Sequence, residues 1–136
     1  MQFIDEATIT VQAGNGGGGL NSSITGSSVG RAGGGGGSGP ANGNTRSGGT
    51  GGGSSANNGG TGGSGTVNTG GGGGASLGDG GTSGAGGSGI VILRWATADA
   101  TLGATRTGLT DDGVQTAGSD SYIVFTAGTG TITFSA

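Results

Sequence analysis

Few residues in this 136-residue chain are of a type that does chemistry, and their spacing decides what kind. Gly26-Ser27-Ser28-Val29-Gly30 matches the G-x-S-x-G pattern of a nucleophile elbow. That device works only when a base takes the serine proton. The chain has no histidine, lysine or cysteine, so nucleophilic and general-base catalysis have few candidates left. Gly14, Gly16 and Gly19 match G-x-G-x-x-G after a strand-like run. No helical pattern follows to aim its N-terminal amides at a phosphate, so the match does not predict a dinucleotide site. Asp111, Asp112 and Asp120 could meet around a cation, but their spacing fits no EF-hand loop, and solvated turn carboxylates account for them more simply. Without thiols there is neither a disulfide framework nor a thiolate metal site. We therefore expect no enzyme, no catalytic residue, no cofactor and no metal.

What remains is recognition by hydrogen bonding. Asn42, Asn44, Arg46, Asn57 and Asn58 lie on short polar inserts at residues 40–47 and 54–58. If neighbouring segments bring these inserts together, they form a cluster of donors and acceptors with an Arg anchor, suited to a receptor or partner protein. The alternative is turn chemistry, since Asn and Gly tolerate positive φ. Further inserts at 66–69 and 75–79 have the same small, polar character.

The element that must position these inserts is the stretch 14–89, which holds 36 of the 42 glycines. Glycine loses more backbone entropy on ordering than any other residue. Composition alone fits a flexible Gly/Ser linker. Three features favour order: the inserts differ from one another, strand-like segments flank the stretch, and it carries only Arg31, Arg46 and Asp79 as charges. An ordered form open to such a sequence is a bundle of polyproline-II helices made largely of glycine. These have three residues per turn and no internal hydrogen bonds, so every buried N–H and C=O must pair with a neighbouring helix. Glycine at every third position is the expected signature, and it occurs at Gly78, Gly81, Gly84 and Gly87, at Gly59, Gly62 and Gly65, and at Gly33, Gly36 and Gly39. The breaks in phase predict several short helices joined by turns. A single proline, Pro40, and no sustained triplet exclude collagen.

Strands flank the block. Residues 3–12 alternate Ala7, Ile9 and Val11 with Thr8, Thr10 and Gln12, which predicts a half-buried strand. Leu20, Ile24 and Val29 mark an excursion whose apolar residues would pin it to the domain. Residues 90–95, IVILRW, are aliphatic on both faces and predict a central, buried strand. Beyond residue 96 the composition changes. Thr105, Thr107 and Leu109 suggest a strand, 117–120 a turn, and strands over 122–125 and 131–135 would be joined as a hairpin by 127–130. The predicted fold is mostly β and irregular, with no α-helix. It divides into a glycine-rich domain over 1–95 and a small antiparallel β unit over 96–136.

Two family resemblances bear on this. Residues 3–19, FIDEATITVQAGNGGGG, resemble the start of the Obg family of GTPases, whose glycine-rich domain contains polyproline-II helices. The arginine-rich continuation is missing, and without lysine there is no phosphate-binding G-x-x-x-x-G-K-[ST] loop. The resemblance thus implies a strand leading into glycine helices, and not GTPase activity. Residues 20–95, through SSITGSSVGRAGGGGG, GTVNTGGGGGA and the closing GAGGSGIVILRW, resemble the glycine-rich domain of phage tail-fibre and other virion proteins. That resemblance implies structural roles for Arg94, paired at a strand end, and for Trp95, packed on the glycine block.

Apolar residues make up 28% of the chain, too few for a large core, and association with copies of itself or another protein would help order the block. A net charge of −3 with four arginines argues against nucleic acid. No run reaches the length of a membrane span, and the opening MQFIDEATIT does not read as a signal peptide, so an exterior location would need a dedicated exporter or cell lysis. The expected role is a non-enzymatic structural protein on the outside of a virion, in a tail or fibre or as a capsid decoration, in contact with other virion proteins. The alternatives are a receptor-binding adhesin at a fibre tip or a subunit of a bacterial extracellular fibre. Ice binding would want a flat repeated Thr or Ala face, which the irregular inserts interrupt.

Overall fold

The computed structural model describes residues 16–38, 46–77 and 80–135. Among them there is no helix, and the strands are short. They are β1 (Leu20–Ser22), β2 (Val29–Arg31), β3 (Asn57–Asn58), β4 (Ser76–Leu77), β5 (Val91–Ala96), β6 (Thr101–Leu102), β7 (Leu109–Asp111), β8 (Gln115–Ala117), β9 (Asp120–Gly128) and β10 (Phe134–Ser135).

The described part of the glycine-rich stretch is ordered by its own backbone. Extended segments at 16–19, 32–38, 46–49, 53–56, 61–66, 70–76 and 81–89 lie side by side, and hydrogen bonds between a given pair recur every third residue. Gly33 and Gly36 donate to the carbonyls of Gly51 and Ser54 (3.0 and 2.8 Å), while Gly72 and Ala75 donate to Gly33 and Gly36 (2.8 and 2.9 Å). Gly62 and Gly65 donate to Thr82 and Ala85, both at 2.8 Å, which makes those segments parallel. Gly84 and Gly87 donate to Gly74 and Gly71, also at 2.8 Å, which makes theirs antiparallel. Successive residues of one segment thereby serve different neighbours: Gly62 bonds to the 81–89 segment, and Gly63 to Ser55 on the other side.

Packing explains why these positions are glycine. Gly33, Gly36, Gly62, Gly65, Gly71 and Gly74 are buried. A Cβ at any of them would lie closer than 3.0 Å to backbone of another segment. The same holds at Gly84, against the Gly63 carbonyl, and at Gly87, against that of Thr66. Three-residue spacing read from the sequence thus coincides with burial at 33/36 and 62/65 and with close approach at 84/87. Gly81 meets the Ser76 hydroxyl first and then the Gly60 carbonyl oxygen at 2.6 Å. Gly59 departs from the pattern: it is an exposed turn residue with φ +77° and open space around it. Gly39 and Gly78, and the strand expected over 3–12, lie outside the described residues.

The second unit is a four-stranded antiparallel sheet in which β9 lies between β5 and β7, with β8 also paired to β9. Ser121, Ile123 and Phe125 of β9 point into a small core with Leu102, and Leu93, Trp95, Leu109 and Ile132 pack against it. Ile123 is fully buried. Three sequence expectations are corrected here. Among the described strands the central one is β9, whereas β5 lies at the edge and its Val91 is 59% exposed. The hairpin expected across 127–130 does not form. Gly128 has φ +106°, Thr129 donates to the Gly108 carbonyl, and the chain leaves the sheet so that β10 pairs with β6. Trp95 packs edge-on against Phe134, with ring centroids 5.1 Å apart, and donates Nε1–H to the Ala100 carbonyl at 2.9 Å. It belongs to the β unit's core, not to the glycine block. The turn at 117–120 is as expected, with Gly118 at φ +65° between β8 and β9.

Candidate functional site

Arg94 joins the two units. β1 and β2 form an antiparallel hairpin that extends the 16–19 and 32–38 segments, and its turn carbonyls, Ser23 and Ile24, accept hydrogen bonds from Arg94 Nη1 at 3.2 and 3.1 Å. Nε of the same guanidinium pairs with Asp120 at 2.8 Å, and Nη2 reaches the Ala117 carbonyl at 3.4 Å. A planar donor fork serves four acceptors at once, which a lysine could not do. The excursion at 20–31 is thus held chiefly through its carbonyls. Leu20 and Val29 are exposed, and Ile24 is half-buried.

The three aspartates considered for a cation are separately engaged. Asp120 pairs with Arg94. Asp112 accepts from Gln115 Nε2 (2.6 Å) and from the Val124 amide (3.0 Å). Asp111 pairs with Arg106 through both oxygens, at 2.9 and 3.3 Å, and accepts from the Gly113 amide at 2.9 Å. Among the described residues no group of three acidic side chains is placed to hold a metal. Hydrogen bonding from Arg106, and then from the Gly113 amide, holds the Asp111 carboxyl below its usual range. A depressed folded-state pKa stabilises the fold fully above the unfolded value, about 3.9, and that contribution is lost as pH falls through the folded value. We expect stability measured between pH 5 and 2 to fall less steeply in Asp111→Asn than in the parent; equal slopes would contradict this assignment.

Of the proposed contact residues, Arg46 is placed near Asn57 through the backbone: the Ala56 amide, next to Asn57, donates to the Arg46 carbonyl at 2.9 Å. Asn57 is exposed, and its amide Nδ2 donates to the Thr61 carbonyl at 3.1 Å across the turn at 57–60. Turn chemistry is therefore one occupation of this side chain. Asn58 follows it in β3, paired in parallel with β4. Asn42 and Asn44 lie outside the described residues. Ser28 of the G-x-S-x-G match lies in the exposed turn of the β1–β2 hairpin.

One concave apolar feature was not singled out from the sequence. A groove of about 610 Å³ runs along the core face of the sheet between Ile90, Val91, Leu93, Leu109, Phe125 and Ile132. Its signal was the unbroken apolar run 90–93, which pattern alone assigns to buried strand. No family model, curated protein or solved structure matches this chain.

Proposed function

We propose that this is a non-enzymatic structural protein of a virion exterior, built on a rigid scaffold of polyproline-II glycine helices that displays polar loops. The observation that carries the reading is the network of backbone hydrogen bonds spaced three residues apart between segments with buried glycines. Such a scaffold needs no large apolar core, cofactor or disulfide, and it presents its inserts at fixed positions. The resemblance of residues 20–95 to the glycine-rich domain of phage tail-fibre and virion proteins supplies the setting. Mass spectrometry of purified particles tests this. Peptides of this chain are expected in fixed proportion to other virion proteins and accessible to antibody on intact particles, whereas their absence from washed particles would overturn the reading.

A second reading, an adhesin, is favoured by one observation: the backbone of Arg46 is bonded to Ala56, the neighbour of exposed Asn57, which sets two of the polar inserts next to each other. In that case the paired substitutions Arg46→Ala and Asn57→Ala lower adsorption to host cells while leaving particle assembly intact. Under the decoration reading adsorption is unchanged, and any defect appears in particle resistance to heat or osmotic shock.

A further inference from the structure

Gly86 and Gly89 lack the reason that explains the other glycines of the block. Among the described residues, a Cβ on Gly86 would meet only the Gly71 carbonyl oxygen, at 3.7 Å, and one on Gly89 would meet nothing within 4 Å. Neither has a positive φ, and both are exposed. With Ser83 they occupy every third position of the outermost segment, and the N–H and C=O groups of all three have no hydrogen-bond partner among the described residues. Inside the block, a row of glycines at this spacing is where another backbone lies. The row continues into the apolar groove, which Gly89 and the exposed Val91 both line, and then into β5, an edge strand of its sheet among the described residues.

We propose that a second copy of this chain docks along residues 82–96, its own 82–96 segment running antiparallel about a twofold axis near Gly86 and Gly89. Both orientations of neighbour already occur within the block, parallel between 61–66 and 81–89 and antiparallel between 70–76 and 81–89. Residues 80–93 carry no charge, and Arg94 is turned to Asp120, so two copies approach without like-charge repulsion. Fifteen extended residues span about 45 Å at ~3.1 Å each. A contact of that length covers roughly 700 Å² per copy, close to the ~800 Å² of a standard stable interface. Unpaired backbone along an edge is the usual template for such pairing.

Sedimentation equilibrium of the full chain over a wide concentration range tests this, separately from any virion location. The parent is expected at twice its monomer mass. The variant carrying Gly86→Val and Gly89→Val is expected to associate at least about tenfold more weakly, with unchanged thermal unfolding at the lowest concentration. Ser83→Arg, which adds a charge on the same exposed row without touching a glycine, is expected to weaken association likewise. It decides the matter should the valine variant fail to fold. A parent that stays monomeric, or a dimer that survives Ser83→Arg, would overturn the proposal. So would growth into open polymers, which would indicate head-to-tail packing onto a different surface. None of these outcomes bears on whether the chain is found in particles.

Discussion

Replacing Gly84 with valine is expected to destabilise the protein by at least about 3 kcal/mol, and Thr82→Val by less than about 1 kcal/mol. The two residues are neighbours on one segment, so the contrast isolates steric position from local propensity. A Cβ at Gly84 overlaps the carbonyl groups of Gly63 and Gly62. Relieving that overlap separates the 81–89 segment from its neighbours and breaks the bonds from Gly84 to Gly74 and from Gly62 to Thr82, both 2.8 Å. Each lost bond costs about 1 kcal/mol net, and more where a buried group is left unpaired. Thr82 is exposed and loses only a 3.3 Å hydroxyl contact with Thr61. Against a total stability of about 5–15 kcal/mol, the first change is severe and the second minor. Equal costs, measured by denaturant unfolding, would deprive the three-residue spacing of structural meaning.

The second large effect lies in the β unit. Ile123 is fully buried on the central strand, between Leu93 on β5 and the rest of the core. Ile123→Ala is expected to cost about 2–5 kcal/mol, since the lost methylenes leave a cavity in a core too small to refill it. The corresponding fall in Tm is about 10 °C. Val67→Ala, at a position 68% exposed in the glycine block, should change stability by no more than about 0.5 kcal/mol. A small loss at Ile123 would mean that the β unit does not depend on this core.

What could be read from the sequence follows from which physical rule acts locally. Spacing at 62/65 and 84/87 was legible because Ser64 and Ala85 interrupt the glycines between them, so the phase is marked. Gly71 and Gly74 are equally buried, yet no further glycine continues their spacing beyond the run 70–74, as Gly39 does for 33/36, so the phase within that run cannot be read. Strand 90–95 was legible from its apolar run, but its place at the sheet's edge was not, because an open groove and a packed core select the same side chains. The 127–130 turn looked like a hairpin because AGTG suits one. Long-range pairing of β10 with β6 competed with it and won, and no local residue encodes that pairing. Of the candidate contact residues, spacing could suggest that Arg46 and the 57–58 pair approach each other. Only the Arg46–Ala56 backbone bond shows which insert residues meet.

The central claim is that backbone hydrogen bonds between segments order the glycine block, and amide hydrogen exchange tests it most directly. The amides of Gly33, Gly36, Gly62, Gly65, Gly72, Gly74, Gly84 and Gly87 all donate across segments. They are expected to exchange far more slowly than those of Ser64 and Val67, which are exposed and donate to no carbonyl of the described backbone. Random-coil exchange at all eight glycines would contradict the account.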